Sequence, residues 1–393
     1  MRVIIDKTDR LWKIPQPSLG DMKFARKRLA TRGVEVIDLD RLAMELVVPE
    51  ALAPDIRKIK AVSSNESADY LKSRLITDIL AKHRSMTGIS LDPEKEICIT
   101  PGNRIAASLL TLGILNPGEC AAYPDPGTPY IRTAICLADG VPKKYGLLES
   151  NDYILNIAGL KVAHNKRTKI LFINYPHDPT GASVDFYFYR ELLKSLRFSN
   201  MLVAADCAYV HPGNPDSAGP LQVKNAARAV VELHSFATTF GIPNLGFAVG
   251  HKEVVAILRW LIRAHGLSPD DRDMKSASVC LDHAEEIFHL RMEAIRRKRV
   301  ILSNDLKKFG WHVRSGRLAP FVWAKPPVRS TSLAFARRLF IKAGIKVTPG
   351  SDFGENGEGW VRMALGVDEK TTVEVIERMA QHSRIWQRKY KPE

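Results

Sequence analysis

The sequence has few cysteines, and no two of them stand close together. Its five (Cys98, Cys120, Cys136, Cys207 and Cys280) are scattered over 393 residues without a CxxC pair, a spacing that argues against a cysteine-framed metal site and against a disulfide scaffold. Most lie inside apolar stretches, as buried free thiols of a reducing compartment do. A cytoplasmic protein with no bound metal is therefore expected. No run of about 18 apolar residues occurs, so no membrane span is expected. The opening MRVIIDKTDRLW is broken by Asp6, Lys7, Asp9 and Arg10, and a signal peptide is not expected there. Internal repeats and low-complexity tracts are also absent.

Acidic residues are in deficit. Lys and Arg number 58 against 43 Asp and Glu, a formal net charge of +15. The basic clusters KFARKR (23–28), RRKR (296–299) and QRKYK (387–391) read as solvated helix faces, because no aromatic residues interleave with them to stack on bases. Nucleic acid is thus not an expected partner. An acidic protein or an anionic small molecule remains open as one.

What is present is an alternation of strands and helices. EICIT (96–100), CAAYPD (120–125), KILFIN (169–174), MLVAAD (201–206), AVVELHSF (229–236) and GFAVG (246–250) read as strands. RIAASLLTLGIL (104–115), SVDFYFYRELLKSL (183–196) and KEVVAILRWLIRAH (252–265) carry apolar residues at helical spacing. Such alternation implies a mainly parallel sheet covered by helices. After residue 285 the pattern changes to a long charged helix, strand-like PFVWAKP (320–326), a helix at 331–343, the short strand IKVTPG (345–350) and a last helix from about Glu369. Two units are expected: a large α/β domain over 46–284, and a small α+β domain made of 1–45 with 285–393.

Four segments carry chemistry in a recognisable order: NYPHDPTGA (174–182), AADCAY (204–209), ELHSFATTF (232–240) and PGSDFGENGEGWVRMAL (349–365). Together they resemble the class I/II aminotransferases, and within them the LL-diaminopimelate aminotransferase-like proteins. The resemblance spans residues 90–380 well. It implies the fold-type I scaffold of pyridoxal-phosphate enzymes, with a mainly parallel seven-stranded sheet, a homodimer, and a place in amino-acid metabolism.

The resemblance also assigns positions, and several depart from the family pattern. Asp206 matches the carboxylate that pairs with the cofactor's ring nitrogen, and Tyr209 the phenol at its 3-hydroxyl. Asp178 stands where an asparagine usually donates to the same ring oxygen; an ionised Asp cannot donate. Gly102, Asn103 and Arg104 occupy the helix start that cradles phosphate, and Ser235 matches a hydroxyl ligand of that phosphate. Thr128, in DPGTPY, replaces the ring-stacking aromatic. Asn244 lies near the place of a missing phosphate arginine. Arg362 matches the arginine that holds the substrate carboxylate and reads equally as a structural salt-bridge residue, with Asn174 nearby as a second candidate for substrate. The Schiff-base lysine is replaced by Thr238, which forms no imine and is no base at neutral pH. Neither His234, read as a packed or hydrogen-bonded histidine, nor Lys252, read as a surface lysine, takes its place.

No catalytic residue is therefore expected. The leading reading is a degenerate aminotransferase that has lost lysine catalysis and keeps a ligand pocket, with no cofactor firmly expected. Buried Asp206 would then have to be protonated, paired with Arg104 or another cation, or matched by a cationic ligand. The alternatives are an enzyme holding pyridoxal or pyridoxamine phosphate without a covalent bond, and a basic scaffold or nucleic-acid-binding protein.

Overall fold

In a computed structural model of the chain, residues 6–20, 22–40, 53–61, 66–160, 167–214 and 219–385 are described. The strands in chain order are β1 (Ile37–Asp38), β2 (Ile97–Thr100), β3 (Cys120–Asp125), β4 (Val141–Gly146), β5 (Thr168–Asn174), β6 (Leu202–Asp206), β7 (Val230–Ser235), β8 (Gly246–Gly250), β9 (His312–Arg314), β10 (Phe321–Lys325), β11 (Ile345–Lys346), β12 (Thr348–Pro349) and β13 (Val361–Ala364).

Seven of them form one sheet in the order β2-β8-β7-β6-β5-β3-β4. All neighbouring pairs are parallel except the two that involve β8. The strands are apolar on both faces because helices cover both. Leu75 and Ile79 of the helix Ala68–Thr87 pack on the face that carries Val203, Ala205 and Val249. Leu110, Ile135, Val255 and Leu258 pack on the other, against Ala204, Val231 and Ala248.

β4 was not anticipated from the sequence. VPKKYG alternates poorly, exposes both lysines and carries a proline, features of a sheet edge, where the outer backbone groups need no partner. The helices Pro129–Leu137 and Asp271–Asp282 were also unanticipated. The stretch 345–350 is two short strands rather than one. β11 pairs with β1, and β12 with β13.

A four-stranded antiparallel sheet, β12-β13-β10-β9, forms the second layer. Its core joins Val322, Val361 and Met363 to Leu302, Leu306, Phe335, Leu339 and Met379 of three helices. Trp323, Phe353 and Trp360 belong instead to the core of the large sheet; the two tryptophans stack 5.5 Å apart. The division into 46–284 and 1–45 with 285–393 stands as a proposal; its first boundary and the basic cluster 387–391 lie outside the described residues.

A close backbone contact also ties the layers. Gly181, at φ +76°, faces Gly316 so closely that a Cβ on Gly181 would lie 2.5 Å from the Gly316 nitrogen, and one on Gly316 would lie 1.9 Å from the Gly181 oxygen. The turn His177–Ala182 is closed by two backbone hydrogen bonds, Gly181 N to His177 O and His177 N to Ala182 O. Gly181→Ala is expected to lower the unfolding free energy by about 1–2 kcal/mol or more, measured by urea titration. An unchanged midpoint would contradict this packing.

Candidate functional site

The site lies where the parallel strands end and the second layer leans over them. A cavity of about 750 Å³ opens there. Among its lining residues are Asn103, Arg104, Thr128, Asp178, Asp206, Tyr209, Ser235, Thr238, Asn244 and Arg362. The structure thus gathers residues from six separate stretches of sequence. Asn174 does not line the cavity. Lys252 is exposed at the start of the helix Lys252–Ala264 elsewhere.

Asp206 ends β6 and is 3 % exposed. Its Oδ1 accepts hydrogen bonds from Asn103 Nδ2 at 3.0 Å and from the Ala208 N–H at 3.2 Å. Its Oδ2 accepts one from the Tyr130 hydroxyl. Burial pushes the carboxyl above its usual range, although these three donors pull it down. Of the partners considered for Asp206, Arg104 is not among those it has here. That guanidinium lies 5.6 Å from the centre of the Tyr130 ring. Asn103 turns its side chain to Asp206. Gly102, at φ +82°, caps this helix in a conformation that glycine adopts without strain.

Tyr130 was missed from the sequence. The expectation looked for an aromatic at position 128, but Thr128 only caps the helix Pro129–Leu137. Two residues on, Tyr130 reaches the carboxylate, a contact across 76 residues that no local pattern signals.

Asp178 and Arg362 form the strongest interaction in the cavity wall. Arg362 Nη1 lies 2.9 Å from Asp178 Oδ1 and 2.8 Å from Oδ2, a charge-assisted contact to both oxygens. Tyr209 donates its hydroxyl to Asp178 Oδ2 at 2.9 Å. Arg362 Nη2 donates to the Asp40 carbonyl at 3.0 Å, and the guanidinium packs against the rings of Phe353 and Phe321 at 4.9 and 5.7 Å. Burial pulls the arginine down, but the charge of Asp178 outweighs it and holds Arg362 above its usual value. Nη1 and Nη2 of Arg362 are thus engaged within the fold, while its buried Nε has no hydrogen-bond partner.

Asn174, considered for substrate, is fully used inside the fold. Its Nδ2 donates to Asp206 O at 2.9 Å, and its Oδ1 accepts from Asp178 N at 2.8 Å. Thr238 lies in the one-turn helix Phe236–Thr239. Its hydroxyl bonds to Ala208 O and, at 3.1 Å, to Ser235 O. Arg291 Nη2 donates to the Thr238 carbonyl. His234 is hydrogen-bonded and packed: Nε2 lies 2.9 Å from Glu232 Oε2, and the ring stacks 4.3 Å from Phe247.

A second missed group sits opposite. Lys346 Nζ bonds Asp40 Oδ2 at 2.6 Å, and Thr348 Oγ1 bonds Asp40 Oδ1 at 2.5 Å. Burial pushes Asp40 up, but these two hydrogen bonds, with the charges of Lys346 and Arg362, hold it below its usual value. Among the described residues Lys346 is the one lysine lining this cavity.

A covalently held pyridoxal phosphate does not fit these residues. No lysine stands between residues 232 and 250, and Lys346 is tied to Asp40. Both oxygens of Asp206 already accept hydrogen bonds from within the fold.

Two outcomes follow. Asp178→Ala leaves a buried guanidinium without its counter-charge and is expected to cost about 3–5 kcal/mol in unfolding free energy. A loss under about 1 kcal/mol would show the pair to be solvated. His177, fully buried beside Asp178, is pushed down to about 4 by desolvation from its usual 6.5, with Asp178 pulling the other way. Below pH 6.5 the unfolded chain takes up a proton there that the folded chain refuses. Stability therefore falls as pH drops from 6.5 toward about 4, by about 2 kcal/mol over the first ~1.5 pH units. Urea unfolding of His177→Gln across that window is expected to lack this part of the slope.

Comparison with known proteins agrees with the architecture. The sequence profile of "Aminotransferase class I and II" matches residues 38–379. The chain is 29 % identical over 389 residues to LL-diaminopimelate aminotransferase of Halothermothrix orenii, covering 95 % of this chain and 98 % of that one. It is 28 % identical over 378 residues to the protein of the same name from Aquifex aeolicus, with the same coverage. Among solved structures it resembles aspartate aminotransferase of Thermotoga maritima, with TM-score 0.84, 18 % identity, and 96 % and 100 % of the two chains covered. It also resembles a probable N-succinyldiaminopimelate aminotransferase of Thermus thermophilus, with TM-score 0.82, 22 % identity, and 93 % and 99 % covered.

Proposed function

The chain belongs to the class I and II aminotransferase family, a family that works with pyridoxal phosphate, and from that premise we propose that this member no longer transaminates and uses the inherited cavity for binding. The observation that carries the reading is the Asp178–Arg362 pair. A carboxylate fixed in the fold occupies the guanidinium with two contacts, so an incoming amino acid has to compete with an internal anion. Thr238 supports the reading from the other side. It stands where the family resemblance places the lysine, and its hydroxyl is bonded to two carbonyls rather than held ready for chemistry.

The proposed ligand is a small molecule that does not depend on a carboxylate hook. The proposed assembly is the homodimer usual in this family, in the cytoplasm. Among the described residues no helix is long and apolar enough to cross a membrane. The charge of +15 leaves an acidic protein as the complementary macromolecular partner.

The test mixes the purified chain with pyridoxal phosphate, reduces with borohydride, and maps modified peptides. The expected result is no modified lysine lining the cavity, and no cofactor conversion on adding L-amino acids. A modified Lys346, or turnover above the rate of free cofactor, overturns the proposal. Pyridoxamine phosphate bound without a covalent link and turning over with a 2-oxo acid would instead favour the noncovalent enzyme. Thr238→Lys alone is expected to restore no transamination, measured by keto-acid formation, because Arg362 stays occupied by Asp178. Robust turnover in that variant would show the pair to be displaceable.

A further inference from the structure

A second polar cluster lies under the sheet, on the opposite side of β6 and β7 from the cavity described above and sharing Ser235 with it. Glu232 and His234 alternate on β7 and so face the same side. Cys207 follows β6 on that side. One ligand atom from each of the three lies within 4.8 Å of the others, and all three residues are buried. Across from them stands His83, on the helix Ala68–Thr87 and 8 % exposed. His83, Glu232 and His234 line a small cavity of about 30 Å³. His83 Nε2 makes no hydrogen bond and lies 3.9 Å from Glu232 Oε2. The other glutamate oxygen, Oε1, is held by the Leu221 N–H at 2.7 Å, which leaves Oε2 turned toward the two histidines.

We propose that Cys207, Glu232, His234 and His83 form a binding site for one divalent transition-metal ion of the zinc type. Four observations carry this. The donor set of one sulfur, one carboxylate oxygen and two imidazoles matches what zinc accepts in four-coordinate sites. A thiolate and a carboxylate around a divalent ion sum to zero charge, so the bound site adds no net charge to the interior. The buried Nε2 of His83 lacks a partner, and buried polar atoms rarely go without one. The Leu221 N–H orients the glutamate from outside the cluster, as groups behind metal ligands do.

Ligand atoms about 2.0–2.3 Å from a tetrahedral ion sit roughly 3.3–3.8 Å apart, so Cys207, Glu232 and His234 draw inward by up to about 1 Å on binding, and His83, outside their group but 3.9 Å from Glu232 Oε2, moves further. Burial lowers His83 from its usual value, with Glu232 pulling the other way. Burial, with Glu232 and Asp206, raises the Cys207 thiol. Binding then replaces the S–H bond by a sulfur–metal bond. The proton leaves to buffer and no electron moves. Bound metal would pin the helix Ala68–Thr87 to β6 and β7. Cysteine spacing along the chain carries no trace of this site, because the other ligands come from a helix and a neighbouring strand.

The test uses the full chain, stripped by chelator and dialysed against Co²⁺ and then Zn²⁺. Cobalt is expected to bind once per chain, with a near-ultraviolet thiolate charge-transfer band, release of about one proton, and displacement by zinc. The band is expected to vanish in Cys207→Ser and to persist in Cys280→Ser. His83→Gln is expected to weaken cobalt binding at least about tenfold. Absence of the band in the unaltered chain, or its survival in Cys207→Ser, overturns the proposal and leaves the cavity to water. If Cys207→Ser fails to fold, zinc-edge X-ray absorption of the unaltered chain decides. A sulfur in the zinc shell supports the site, and a shell of nitrogen and oxygen alone refutes it.

Discussion

The buried contact between Asp178 and Arg362 is the constraint around which the cavity is organised. It joins the turn after β5 to β13, and so ties the large sheet to the small one. Neither charge tolerates this burial by itself, because removing one partner strands the other in a medium of low dielectric. Its neighbours follow from it. Tyr209 adds a donor to the carboxylate, the Asp40 carbonyl takes the far side of the guanidinium, and two phenylalanine rings close over its face. A carboxylate built into the chain acts at a high effective concentration and needs no further ordering on binding. The geometry therefore favours the closed pair over any external anion of the same kind.

The same closure recurs through the site. Asp206 has three internal donors, Asn174 spends both ends of its amide on backbone, and Thr238 bonds two carbonyls. A site that turns over substrate keeps several polar groups free or bound to water, to be satisfied in the reaction. Here most of them satisfy one another, although the Arg362 Nε is buried without a partner. That arrangement suits a stable interior and gives physical content to the proposed retreat from catalysis, without detracting from the family relationship shown by the chain's whole length.

Much of the fold was legible in the sequence. Strands buried on both faces are continuous apolar runs, and amphipathic helices repeat at their own period, so β3, β5, β6, β7 and β8 were visible as such. The edge strand β4 was not, since an edge exposes one side and tolerates Pro142, Lys143 and Lys144. Of the site, Asp206, Tyr209, Asp178, Thr238 and Arg362 were picked out through ordered motifs, and the structure brings them to one cavity. The partners were not legible. Arg104 was one of several partners considered for Asp206, and Tyr130 is the residue that reaches it. Arg362 was read as a ligand arginine or a salt-bridge residue, and its charged partner, Asp178, lies 184 residues away. Asp40, Lys346 and Thr348 escaped notice because nothing in their local sequence distinguishes them from surface residues.

The sequence by itself determined the kind of scaffold, the order of its elements and the absence of a lysine at the turn 236–239, because these depend on local periodicity and on which residue types stand in a motif. Only the tertiary structure decided which charges neutralise each other and which side chains close the cavity. Hydrogen bonds and ion pairs act over about 3 Å, while the residues that make them here are tens to hundreds of positions apart. Their pairing is set by how the two sheets pack, and that packing is a property of the whole chain.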